Sequence, residues 1–399
     1  MKDFHFYIPT EIEFGINAEE QLATLVRKYG GSAPKVLVHY GGGSAVRSGL
    51  IARTEQRLAD AGIAFVTMGG VRPNPRLSLV NEGIALCRRE GITLILAVGG
   101  GSVIDSAKAI AYGVGYEGDV WDFYVGKASP TVTLPVGCIL TIPAAGSEMS
   151  DCTVITNEQT QQKLGYSNDL GRLRFAIMNP ALTATLPAYQ IACGTVDIMM
   201  HTMERYFTKD TDMDMNTAMG EALLRRVRET GDALLCGEVD EPTRLRHHAT
   251  LMWASSWAHN DFTGSRNISD FATHKIEHEI SAIFDVAHGA GLAAVWPSWA
   301  RYNKHLDYAR FASFATNVMG IAPEGSVEEL AERGIEAMEA AYRRWHMPTS
   351  LSELIGRKAT DDEIALMADK CTRGDTFHPG YFHPLTRQDV INILTLANK

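Results

Sequence analysis

Five side chains between residues 197 and 288 have the types and spacing of a metal-ligand set. His274, His278 and His288 fall within fifteen residues, and Asp197 and His201 lie upstream. One carboxylate with two or three imidazoles suits Fe(II), Zn(II), Mn(II) or Co(II). Asp197 and His201 are four apart on a predicted helix and share a face, as do His274 and His278. His288 competes with His278 for the fourth place. Fourteen residues of unbroken helix span about 21 Å, so His274 and His288 share one ion only if the helix ends between them. Phe284-Asp-Val-Ala-His-Gly-Ala-Gly291 has the glycines for a turn there. Spacing leaves His278 and His288 both open. His247 and His248 are adjacent and cannot face the same way on a helix, and His378 and His383 flank a Pro/Gly-rich loop.

The elements that must position such a site fall into two textures. In the first half, short apolar runs end in glycines and lead into helical patterns: Lys35–Tyr40, Ala64–Met68 before Gly69-Gly70, and Thr93–Val98. Further strands are expected at 136–142, 152–156 and 175–178, with a weak edge strand or hairpin over residues 4–14. This is the βαβ rhythm of a parallel sheet. From about residue 186 helical patterns dominate. The expected organisation is an α/β dinucleotide-binding domain of Rossmann-like type over 1–185 and an all-α metal- and substrate-binding domain over 186–399.

Gly99-Gly-Gly-Ser102 follows a strand and opens a helix, so backbone amides of Gly100, Gly101 and Ser102 can face a phosphate at a helix N-terminus. The spacing is not G-x-G-x-x-G. The first strand ends His39-Tyr40-Gly41 with no carboxylate for a ribose 2′-hydroxyl. Gly41 and Gly42 are candidate cofactor contacts, and Ser44 and Arg47 beyond them both suit a 2′-phosphate, which favours NADP over NAD.

Composition narrows the class. The chain has 399 residues, 45% hydrophobic and 21% charged, with a formal net charge of −10 that argues against a nucleic-acid partner. Six scattered cysteines without a C-x-x-C pair read as reduced thiols of a cytoplasmic protein. The N-terminus lacks the apolar core of a signal peptide, and no apolar run is long enough to span a membrane.

Together, Gly99-Gly-Gly-Ser-Val-Ile-Asp-Ser-Ala-Lys108, Asp197-x-x-x-His201 and His274-x-x-x-His278 followed by His288-Gly289 resemble the group III, iron-containing alcohol dehydrogenases over essentially the whole chain. Tyr40-Gly-Gly-Gly-Ser44 and Ile142-Pro-Ala-Ala-Gly-Ser-Glu-Met149 are most similar to the NADPH-dependent butanol dehydrogenase and aldehyde reductase branch. NAD-preferring members have Asp where this chain has Gly41, and many relatives have Thr-Thr-Ala-Gly-Thr near Ala144-Ala-Gly146. The resemblance implies a dehydroquinate synthase-like architecture, with the site in the cleft between the two domains. It implies that Asp197, His201, His274 and His288 bind the metal and that His278 lies beside nicotinamide and substrate. Asn74, Gly100, Gly101, Ser102, Thr141, Ser147 and Lys163 would line the cofactor, with Asp105 near it. It implies a homodimer that exchanges hydride between NAD(P)H and a small alcohol or aldehyde, with Fe(II) or Zn(II). The rival readings are a metal- and NAD-dependent cyclising lyase, for which the 196–288 region offers few Lys and Arg, a metal hydrolase with structural glycine loops, and a non-catalytic metal or nucleotide sensor.

Overall fold

A computed structural model describes residues 3–210, 212–265 and 268–399. The chain divides into two compact units, one over Tyr7–Thr185 and the other over Leu186–Lys399. Residues 3–6, expected in the α/β part, group with the helical unit. The first strand begins only at Glu11, so no sheet ladder ties them to the first.

The α/β unit has eight strands: β1 (Glu11–Phe14), β2 (Lys35–Gly41), β3 (Ala64–Val71), β4 (Leu94–Gly99), β5 (Val136–Leu140), β6 (Cys152–Asn157), β7 (Gln162–Ser167) and β8 (Phe175–Met178). Six form one sheet in the order β1-β8-β5-β4-β2-β3, every pair parallel. Helices Leu50–Asp60, Leu77–Glu90 and Gly101–Val114 supply the crossovers. Their apolar spacing dictates the packed face: Leu77, Val80, Ile84 and Cys87 are the buried stripe of the second. β4 is buried along its whole length, as its unbroken apolar run requires of a strand covered on both faces. The winding reverses between β2 and β4. Their carboxyl ends, Gly41 and Gly99, therefore flank the crevice where doubly wound sheets take ligands.

Two strand expectations change. β3 runs through Gly69 and Gly70 to Val71 instead of turning at them. The register of β2 on β3 shifts between His39 and Gly41, and a Cβ at Gly69 would meet the Tyr40 ring at 2.5 Å. The glycine makes room for that ring. The 152–156 strand is not in the main sheet. It forms an antiparallel hairpin with β7, a strand that sequence reasoning missed. Of residues 4–14, only Glu11–Phe14 is strand, at the sheet edge.

In the helical unit, Ala188–Tyr206 and His288–Asn303 are buried over nearly their full lengths and form its centre. Helices with one polar face surround them. Three of these, starting at Val327, Asp361 and Arg387, open with capping boxes on Ser326, Thr360 and Thr386. Among the described residues no helix is long and apolar enough to cross a membrane.

Candidate metal centre

Three helices of the second unit carry the site. Ala188–Tyr206 presents Asp197, His201 and Glu204 at i, i+4 and i+7, one face of the helix. Ala272–Phe284 presents His274 and His278. That helix stops at Asp285, which takes left-handed backbone (φ 51°), and a new helix starts at His288. The break removes the 21 Å objection, and His274 and His288 face each other across a turn. Gly289 sets the next contact: a Cβ there would meet the Cys193 carbonyl oxygen at 2.2 Å. Only glycine lets the His288 helix approach the Asp197 helix this closely.

The ligand atoms of Asp197, His274 and His288 all lie within 4.8 Å of one another. His274 Nε2 is 3.7 Å from Asp197 Oδ1, and His288 Nε2 is 3.8 Å from the same oxygen. Asp197 and His274 are buried, and Asp197 Oδ1 and His274 Nε2 have no hydrogen-bond partner. Buried polar atoms without partners cost about 1–3 kcal/mol each. A divalent cation among them would remove that cost, so the donor set fits the metal that the sequence implied. His201 is not part of this tight set. Its Nδ1 lies 2.9 Å from the Asp197 carbonyl and 3.1 Å from Asp197 Oδ1, and its ring centroid is 4.5 Å from that of His274. His278 stands beside the group, with its ring 5.9 Å from His288 and 6.5 Å from His274.

Two carboxylates that sequence reasoning missed hold the imidazoles. His274 Nδ1 donates to Glu204 and His288 Nδ1 donates to Glu277. Both glutamates are buried. Glu204 is seven residues after Asp197 and Glu277 is three after His274, so each shares a helix face with a candidate ligand, but that spacing does not mark a glutamate as buried. The charges shape the site's protonation. Burial alone would lower the His274 pKa, but Glu204 and then Asp197 outweigh it and raise it to about 9. Burial likewise pushes the Asp197 carboxyl up, and the surrounding imidazoles hold it well below the usual carboxylate range. His201 is pushed well down by burial, with Asp197 opposing.

The glycine-loop residues gather at the carboxyl end of the parallel sheet. Gly41 and Gly42 end β2, and Ser44 opens the short helix Ser44–Arg47. Gly100 caps the helix that begins with Gly101 and Ser102. A Cβ at Gly100 would meet Ile142 at 3.0 Å, and one at Gly101 would meet Ala145 at 2.9 Å. These glycines thus let the loop lie directly on the 142–145 segment. The Thr141 amide donates to the Gly99 carbonyl at 3.0 Å. Asn74 is buried with left-handed backbone (φ 55°) in the loop after β3, and Lys163 is buried in β7. Asp105 is occupied as a brace. Its carboxylate accepts from Ser147 Oγ at 2.6 Å and the Val154 amide at 2.9 Å, tying helix, loop and hairpin together.

Other candidates have structural work. His383 Nδ1 is 2.7 Å from Asn303 Oδ1, and His378 Nδ1 is 3.2 Å from the Leu385 carbonyl. Met199 and Met200 are core, whereas Trp253 and Phe377 are exposed. Trp257 meets Phe262 edge to face, with ring centroids 4.2 Å apart.

Comparison with known proteins agrees with this geometry. Residues 9–180 match the family described as iron-containing alcohol dehydrogenase, and residues 191–398 match its C-terminal counterpart. A probable NADH-dependent butanol dehydrogenase 1 of Bacillus subtilis is 37% identical over 99% of both chains. The NADPH-dependent aldehyde reductase YqhD of Escherichia coli is 33% identical over 88% of this chain and 89% of its own. The crystal structure of an NADH-dependent butanol dehydrogenase A from Thermotoga maritima superposes with a TM-score of 0.93 at 35% identity, covering 100% of this chain and 99% of that one. With both units matched and a carboxylate–imidazole cluster at its centre, the chain belongs to the iron-containing alcohol dehydrogenase family.

Proposed function

We propose that this oxidoreductase interconverts an aldehyde or ketone and its alcohol, using a nicotinamide cofactor and one divalent metal, Fe(II) or Zn(II). The observation that carries the reading is the convergence of Asp197 Oδ1, His274 Nε2 and His288 Nε2, two of the three atoms buried without hydrogen bonds. Asp197, His274 and His288 hold the metal, and His201, whose ring packs on that of His274, completes the set. The metal supplies Lewis acidity at the carbonyl oxygen and the nicotinamide supplies hydride. His278, buried beside His288, delivers the proton that the alcohol oxygen gains. The loops at Gly41–Ser44 and Gly100–Ser102, with Asn74, Thr141, Ser147 and Lys163 nearby in the sequence order of the resemblance, bind the cofactor. Ser44 and Arg47 beyond a carboxylate-free strand end favour NADP(H). Six free cysteines agree with a cytoplasmic enzyme, and a homodimer is the expected assembly.

The test is NADPH and NADH oxidation with short aldehydes, after chelation and after restoring Fe(II) or Zn(II). Metal-dependent turnover favouring NADPH is the expected result. Turnover with NADH alone overturns the cofactor assignment. No turnover with either reopens the lyase and hydrolase readings, which the family assignment disfavours.

A further inference from the structure

We propose that Glu204 and Glu277 are positioning residues of the metal centre, each holding one imidazole by Nδ1 so that its Nε2 faces Asp197. The inference rests on the reading that this site holds a divalent metal.

The two carboxylates are built alike from unrelated parts. Glu204 stands on the Asp197 helix and reaches across to His274. One oxygen accepts from the ring Nδ1, and the other accepts the His274 backbone amide at 3.1 Å. Glu277 stands on the His274 helix and reaches to His288. One oxygen accepts from Nδ1 and the other from Ser281 Oγ. Each carboxylate is therefore fixed at both oxygens, one by an imidazole and one by the scaffold. Gly291 clears space for the second: a Cβ there would meet Glu277 Cγ at 2.8 Å and Oε1 at 2.9 Å. A ring that donates Nδ1–H keeps its lone pair on Nε2, and a carboxylate acceptor makes that lone pair more basic. His201 is arranged differently, with Nδ1 against the Asp197 carbonyl four residues back. Two of the three imidazoles thus carry a carboxylate behind them, and with Asp197 three buried carboxylates surround one cation site.

The scaffold donors make the two glutamates respond differently to an isosteric change. At Glu277→Gln the amide oxygen still accepts from His288, and its NH2 meets the Ser281 hydroxyl, which can turn to accept. At Glu204→Gln the NH2 must face either the His274 amide or the ring N–H, both donors. Glu277→Gln removes charge and keeps geometry, whereas Glu204→Gln removes both.

The experiment is a Zn2+ competition titration against a chromophoric chelator on full-length protein, with the Co2+ absorption spectrum as a second readout. Parent, Glu204→Gln, Glu277→Gln, Glu277→Ala and His274→Ala are compared, and thermal unfolding of each metal-free protein is recorded. Glu204→Gln and Glu277→Ala are expected to lose about 10- to 100-fold in Zn2+ affinity with an altered Co2+ spectrum. Glu277→Gln is expected to lose less than either. Zn2+ affinity within twofold of the parent in Glu204→Gln and Glu277→Ala overturns the proposal. Should Glu277→Ala fail to fold, Glu204→Gln against Glu277→Gln decides, because equal affinities in that pair contradict the geometry. A parent that binds no Zn2+, or a His274→Ala variant that binds it normally, refutes the metal reading itself.

Discussion

His39 in the α/β unit and His274 in the helical unit are both almost wholly removed from water, yet they are pushed in opposite directions. His39 sits in β2 with Nδ1 3.0 Å from the Met68 carbonyl and Nε2 2.9 Å from Ser106 Oγ. Both partners are neutral. Burial then dominates and lowers its pKa to about 4. His274 has Glu204 and Asp197, and rises to about 9. Without metal, the same residue at the same depth is pushed toward the neutral form in one unit and toward the protonated form in the other. What separates them is the charge of the partner, not burial. In the α/β unit even the buried Lys108 meets neutral acceptors, its Nζ donating to the Ser150 and Cys152 carbonyls at 2.9 and 2.8 Å. In the helical unit the buried imidazoles of His274 and His288 meet the carboxylates of Glu204 and Glu277 instead.

The strongest way to break this comparison is to delete the histidine that faces the carboxylates. His274→Ala should lose both metal and activity, with turnover falling at least about a thousandfold. His278→Ala should keep its metal and slow more modestly. Metal analysis beside steady-state rates checks both, and a fully metallated His274→Ala protein would remove His274 from the ligand set. The next effect is on pH. A ligand imidazole must be neutral, so metal has to displace the His274 proton below pH 9. Zn2+ affinity of the stripped protein should rise nearly tenfold per pH unit from pH 7, by about 50-fold at pH 9, and level off near about 100-fold above it. A flat profile would mean that His274 is already neutral at pH 7.

His39, whose pKa is shifted the other way, makes a prediction about stability in the other unit. Its folded pKa lies near 4 and its unfolded value near 6.5. Between them the unfolded chain binds more protons, so its contribution is intact above pH 6.5 and is lost as pH falls toward 4. By pH 5 the loss is on the order of 2 kcal/mol. Denaturant unfolding of the parent and His39→Gln at pH 7 and 5 measures it. The variant is expected to be less stable at pH 7 but to lose less on acidification. Equal losses would show that His39 titrates normally.

Much of this division was readable beforehand because periodicity carries it. The glycine-ended apolar runs marked β2 and β4, and the i, i+4 pairs placed Asp197 with His201 and His274 with His278. Spacing left His278 and His288 both open, and only the resemblance named His288; the break that brings its ring beside His274 depends on a left-handed Asp285 ending one helix and on Gly289 admitting the next. Glu204 and Glu277 were not readable. A glutamate on a helix has no sequence mark of being buried, and its partner sits on another helix. β7 was missed because Gln162–Ser167 is short, opens with two polar residues and contains a glycine, and pairs only with its hairpin neighbour. Asp105, which the resemblance set near the cofactor, is committed to Ser147 and Val154, contacts that strand and helix patterns do not encode.

The smallest effect comes from giving the α/β unit a carboxylate of the kind that the helical unit uses. Gly41 ends β2 at the winding reversal. A Cβ there would meet only the Val71 carbonyl at 3.4 Å and Val103 at 3.7 Å, ordinary contacts, so Gly41→Asp should fold. Its charge would oppose a 2′-phosphate and could accept from a ribose 2′-hydroxyl. Like-charge repulsion at a partly solvated site is worth about 1 kcal/mol or more. The expected outcome is a rise of about tenfold in KM for NADPH, with KM for NADH unchanged or lower and kcat little altered. Steady-state kinetics with both cofactors reads this directly. An unchanged NADPH KM would place the 2′-phosphate away from Gly41, and the neutral strand end would then be a matter of packing beside Val71 and Val103, not of cofactor choice.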